Sequence, residues 1–165
     1  MPRELPDITF SSVRLLSDKM TELAALVKYD TDYRQSSLIC VTESWLTEES
    51  TGIDLDGFTT IRFDRDKEKT EKSVGGGLCS FVNSSWATHF GVRETVSTKD
   101  YEIFTVSFRP FYLPREFGLV TVILVYVPGP DNPRAAERIA QSYNKAVSLA
   151  VDQPVFILGN FNRVL

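Results

Sequence analysis

Two long β-rich runs, YEIFTVSFRPF at 101–111 and LVTVILVYVP at 119–128, constrain this chain most. The LPREFG segment between them carries a proline and a glycine, both turn formers, so the pair reads as a hairpin. A further apolar run, Val155 to Leu158 in PVFILGNFN, has the length and composition of a buried strand. Gly159 reads as the point where the backbone turns sharply. That leaves Asn160 and Asn162 at a strand's carboxyl end, where open α/β sheets build their sites. Two neutral amides there are unexpected, because a hard metal ion would be better served by carboxylates.

The remaining segments place this hairpin in a layered α/β structure. DITFSSV at 7–13 alternates and reads as a strand. Ser17 is a candidate N-cap for an amphipathic helix carrying Met20, Leu23, Ala24, Leu26 and Val27 and running to about Tyr33. SLICVTESWL reads as a buried strand ending near Thr42–Glu43, and 47–57 as an acidic loop. FTTIRFDR and GGGLCSFVN read as strands flanking a mixed-charge loop, DRDKEKTEKS. Ala136, Ile139, Ala140, Tyr143 and Val147 recur at helical spacing, with Pro133 near the helix start, where proline is tolerated. The order is βαβ, then mostly antiparallel strands, then αβ. It predicts an α/β sandwich with mixed sheets.

Bulk properties narrow the function. With 165 residues, 42% apolar and 24% charged, the chain suits one domain with a real core. A net charge of −4 argues against coating nucleic acid by bulk electrostatics, but leaves room for a local basic groove. No apolar run approaches the roughly 20 residues of a membrane helix. The start, MPRELPDITF, lacks the pattern of a signal peptide. Cys40 and Cys79 each lie inside an apolar strand-like run and read as buried, reduced thiols. A nuclear or cytoplasmic protein that is not secreted is expected.

Candidate chemistry sits at strand ends: Ser12 and Arg14 after the first strand, Glu43 after the second, Tyr126 in ILVYVP, and Asn160 and Asn162 after the last. Each has a plain alternative. Glu43 can be a solvated carboxylate, Tyr126 a core residue, and Asn162 an Asx-turn residue. Together they form a pattern, because strand ends of a sandwich converge on one rim. His89, in WATHFGV, reads as a surface or loop residue.

The stretches LICVTESWL, LDGFTTIRFDRDKEK, GGGLCSFVN, RPFYLPREF, VYVP and LGNFN carry a specific resemblance. The chain resembles the endonuclease/exonuclease/phosphatase superfamily, and within it the apurinic-type endonuclease domain of LINE (non-LTR) retrotransposons. The resemblance implies a four-layer, DNase I-like α/β sandwich over residues 1–165, a partial domain with its C-terminal part missing. It also implies Mg²⁺-dependent hydrolysis of DNA phosphodiesters, with no small-molecule cofactor. By the same resemblance, Glu43 is the metal-binding glutamate and Tyr126 the active-site tyrosine. Asn162 orients the nucleophile, and Asn160 stands where the family has its water-activating aspartate. Ser12 replaces the asparagine of an N-V-R motif, with Arg14 beside it. Arg109, with Arg115 and the aromatics Phe108, Phe111, Tyr112 and Phe117, forms a candidate DNA-contacting loop; alternatively those aromatics cap the hairpin's own core.

The departures predict an impaired or inactive nuclease. An amide cannot act as a general base, and that assistance is worth roughly 10²–10⁴-fold. The family's S-D-H motif would fall after Leu165. The alternative is a non-catalytic DNA- or protein-binding relic of a retrotransposon. A sandwich stopping here would also expose a sheet edge, so marginal stability or aggregation is expected.

Overall fold

β1 (Ile8–Ser12) and β2 (Leu38–Thr42) pair in parallel; β4 (Leu78–Asn83) lies antiparallel to β2, and β3 (Phe58–Phe63) antiparallel to β4. They make one four-stranded sheet in the order β1-β2-β4-β3. β5 (His89–Ser97), β6 (Glu102–Arg109), β7 (Val120–Tyr126) and β8 (Val155–Asn160) make the second in chain order. There β6 and β7 form the expected hairpin, and β8 joins β7 in parallel. Both sheets are therefore mixed. This computed structural model describes residues 5–70, 75–130 and 132–162.

Three apolar interfaces stack four layers. Leu38, Cys40 and Val82 of the first sheet face Phe104, Val122 and Leu124 of the second. The alternate residues Ile39, Val41 and Phe81 turn outward against Leu16, Met20, Leu23 and Val27. On the other flank Ile103, Ile123 and Val125 meet Ala135 and Ala146 of α4 (Pro133–Leu149). Strand period and helix period thus agree along the chain, which is why these runs specify layers. Both thiols are buried, and burial pushes Cys40 up to about 11 and Cys79 higher still. Among the described residues no helix is long and apolar enough to cross a membrane.

The local structure departs from expectation in four places. The first helical segment is not continuous. A 3₁₀ turn, Leu16–Lys19, leads into α1 (Met20–Tyr29), the chain extends at Asp30, and α2 (Thr31–Gln35) follows. Ser17 lies inside the 3₁₀ turn and caps nothing; the side chain that caps is Asp30, which accepts from the Asp32 amide at 2.9 Å. His89 is at the surface as expected, but opens β5 rather than sitting in a loop. That strand is legible only weakly because one face is solvated and Gly91 interrupts it.

The buried face of α4 is Ala135, Ser142 and Ala146, with Ile139 beside them. The expected stripe is rotated, so Tyr143 is exposed. Its start matches expectation: Asn132 caps it, accepting from the Ala135 amide at 3.1 Å, with Pro133 in the first turn. Within DRDKEKTEKS a single turn, α3 (Lys67–Thr70), forms, and residues 71–74 lie outside the described residues.

Gly159 is not a turn residue. It lies within β8, and a Cβ there would come 2.1 Å from the Val125 carbonyl oxygen. Close backbone approach, not a bend, requires the glycine. β1 and β8 are the edges of their sheets and lie side by side, with Phe10 and Ile157 partly exposed.

Candidate active site

Register decides which strand ends meet. Ser12 pairs with Thr42, so the ends of β1 and β2 share a rim, and Glu43 is the next residue. In the second sheet Tyr126 pairs with both Glu102 and Asn160. Tyr126 is on the face turned toward the first sheet, in the same cluster as Leu124 and Val122. Its hydroxyl donates to Glu43 Oε1 across the two sheets. Arg14 Nε stands 3.6 Å from the other carboxylate oxygen.

One concavity is lined by Arg14, Glu43, Tyr126, Asn160 and Asn162, with Pro128–Pro130 on its flank. Five of the seven candidate residues are thus brought together. Ser12 is exposed at the same rim but lines a neighbouring cleft, which it shares with Arg14. Arg109 is not brought there. It ends β6, seven residues along that strand from Glu102, roughly 23 Å away at strand rise. Of its aromatic neighbours, Phe108 is core, packed on Trp86 and Phe90, whereas Phe111 and Tyr112 are exposed at that far end.

The backbone around the rim is unusual for its residue types. Glu43 has φ +56° and Trp45 φ +55°, a region L-residues seldom adopt. The bend is held by the Ser44 amide on the Gly77 carbonyl at 3.2 Å and the Trp45 amide on the Gly76 carbonyl at 2.9 Å. Asn162, at φ +39°, donates from Nδ2 to the Val127 carbonyl at 2.7 Å. Such outliers collect where a site over-determines its backbone.

Beneath the rim lies a pair that sequence reasoning missed. Arg65 Nη2 bridges to Glu102 Oε2 at 2.9 Å, with side chains 7% and 0% exposed. Glu102 Oε1 accepts from the Gly77 amide at 3.0 Å, and the Arg65 guanidinium lies 5.7 Å from the centre of the Tyr126 ring. The signal was the triple glycine. A Cβ on Gly76 would sit 2.1 Å from Arg65 Nε, and all three glycines have positive φ. Burial, then the Glu43 carboxylate, pushes the Tyr126 hydroxyl well above its ordinary value, opposed in part by Arg65. Tyr126 is therefore a neutral donor at physiological pH.

The donor set suits a divalent cation poorly. Mg²⁺ is bound through one or two carboxylates plus waters and phosphate oxygens. Among the described residues Glu43 is the one carboxylate lining this concavity, and both its oxygens already face partners. Among the described residues no group of three His, Cys, Asp or Glu side chains is placed to hold a metal. The residues present do not make a resident Mg²⁺ site.

Comparison with known proteins separates fold from function. No protein-family model and no curated protein matches the sequence. Solved structures do. The chain is similar to the human Nocturnin catalytic domain with bound sulfate, at 11% identity and a TM-score of 0.57. It is also similar to a humanised D. rerio TDP2, at 9% and 0.55. A third match is the Neisseria 3′ phosphatase NExo, an aspartate-to-asparagine form bound to a product DNA hairpin, at 12% and 0.55. These alignments cover 95%, 94% and 96% of this chain but 64%, 61% and 58% of theirs, so the chain spans about three fifths of their length. The fold is a DNase I-like α/β sandwich, shared with these structures over about three fifths of their length.

Proposed function

We propose that this chain is a DNA-directed phosphodiesterase domain of the LINE retrotransposon endonuclease type, impaired in hydrolysis. The observation that carries the reading is the convergence of Arg14, Glu43, Tyr126, Asn160 and Asn162 on one rim from four separate segments. The LINE assignment rests on the T-E-S-W-L, GGGLC and G-N-F-N stretches. Support for a nucleic-acid substrate comes from two neighbours, NExo with a product DNA hairpin and D. rerio TDP2 with a single-stranded DNA product.

At the rim, Arg14 and Glu43 cancel in formal charge, so a phosphodiester meets no net repulsion from the lining. The one hydrogen of the Tyr126 hydroxyl goes to Glu43, whereas the amides of Asn160 and Asn162 can donate to phosphate oxygens. Such donors stabilise developing negative charge. Asn160 cannot accept a proton from an attacking water, and the Glu43 carboxylate is already engaged by Tyr126 and Arg14.

A second reading, a non-catalytic DNA-binding module, is favoured by the same amides in place of carboxylates. Duplex binding measured against salt, alongside nicking of supercoiled plasmid, separates the readings. Salt-sensitive binding weakened by Arg14→Ala supports a DNA-facing rim. Absence of binding at low salt would overturn both readings.

A further inference from the structure

On the outer face of the second sheet, away from the candidate active site, α4 covers a cavity of about 120 Å³. A helix–sheet interface is ordinarily apolar, and its other half is, with Ile103, Ile123 and Val125 against Ala135 and Ala146. This half is mixed: Leu119, Leu149 and Ala150 share its wall with the hydroxyls of Thr105, Ser107, Thr121 and Ser142, and with Arg93 and Lys145. All four hydroxyl residues are buried.

The hydrogen bonds leave donors unspent. Thr105 Oγ1 is buried without a partner. Ser107 and Thr121 share one bond at 2.9 Å, so one hydrogen of the two hydroxyls remains to donate. Glu94 is fully occupied. It accepts from Ser142 Oγ at 2.6 Å, Arg138 Nη2 at 3.0 Å and Lys145 Nζ at 3.4 Å. Three cations, Arg93, Arg138 and Lys145, therefore stand against one carboxylate, a local formal charge of +2 (3 − 1). The register of β5 against β6 shifts between Val92 and Glu94. Arg93 is the extra residue of that bulge and shares the cavity wall with Glu94. Bulges re-aim side chains in this way.

We propose that this cavity is a binding site for a small tetrahedral oxyanion, phosphate or sulfate, held by Arg93, Lys145 and the Thr105 hydroxyl. Its volume of about 120 Å³ admits a small ion. Its position under α4 makes it a second site, separate from the rim carrying Glu43 and independent of the reading proposed for that rim.

The test uses the whole protein and inorganic phosphate, with ionic strength matched by chloride. Phosphate at about 10 mM is expected to raise the Tm by a few degrees. It is also expected to shift the amide resonances of Thr105, Ser107 and Thr121. Arg93→Ala and Thr105→Val, one exposed and one isosteric, are each expected to weaken phosphate binding about tenfold, whereas Arg14→Ala leaves it unchanged. Phosphate effects no larger than those of chloride would overturn the proposal. So would binding unaltered by either variant, an adventitious ion only. Loss of binding in Arg14→Ala would move the ion to the rim and overturn it, and tighter binding of adenosine monophosphate than of phosphate would overturn the free-ion form.

Discussion

Tyr126 and Glu43, 83 positions apart in the chain, are joined by a hydrogen bond from phenol to carboxylate across the two sheets. The contact ties the end of β7 to the end of β2 and fixes a carboxylate of the rim. Tyr126→Phe removes the donor and leaves a part-buried carboxylate with Arg14 alone. Urea unfolding is expected to show a loss of about 1.5–3 kcal/mol, the usual range for a hydrogen bond to a charged group. An unchanged midpoint would mean that the carboxylate is already solvated.

Arg65 and Glu102 form the deeper bridge. Removing one partner strands the other in a site with almost no solvent, which typically costs 3–5 kcal/mol. Glu102→Gln is therefore expected to lower stability by about 3 kcal/mol or more. The double replacement Arg65→Met with Glu102→Leu is expected to recover much of that loss. Denaturant titration of the three variants reads both effects.

Gly159→Ala places a methyl 2.1 Å from the Val125 carbonyl, between two hydrogen-bonded strands. Neither backbone can yield without opening the β7–β8 ladder. Overpacking of this kind is expected to cost about 3 kcal/mol. Gly118→Ala is the control: its Cβ would meet nothing within 4 Å, and its melting temperature is expected to stay within a degree or so.

The layered fold was legible because strand and helix periods are clean in most elements. β2, β4, β6 and β7 are buried along almost their whole length, and their sequences say so. β5 was not legible, because its pattern is broken by Gly91 and by the bulge at Arg93. Strand-end positions placed Glu43, Tyr126, Asn160 and Asn162 correctly relative to one another, since register carries them to one rim. Arg109 shows the limit of that reasoning. It too ends a strand, but an antiparallel one running the other way, so it arrives at the opposite end. The mixed-charge loop hid a different fact. Arg65 looks like surface charge in DRDKEK, yet it turns inward onto Glu102, while Arg62 on its flank is half-buried against Asp64 at 2.7 Å.

Glu94 makes stability depend on acid. Burial alone would raise its carboxyl, but Ser142, Arg138 and Lys145 outweigh that and hold it below the ordinary glutamate range. A folded-state value below the unfolded one adds stability above the unfolded value, and that contribution is lost as pH falls through the folded value. Stability in chloride buffer is thus expected to drop below about pH 4.5. Glu94→Gln should be less stable than the parent at pH 7 and approach it at low pH. A gap independent of pH would contradict the assignment.

The central claim is that Asn160 stands where the rim needs a carboxylate. Nicking of supercoiled plasmid with Mg²⁺, by the parent chain and by Asn160→Asp side by side, tests it most directly. The account predicts no nicking by the parent above a protein-free control. It predicts measurable nicking by Asn160→Asp, up to roughly the 10²–10⁴-fold that general-base assistance supplies. Parent nicking that disappears in Glu43→Ala and gains nothing from Asn160→Asp would contradict it.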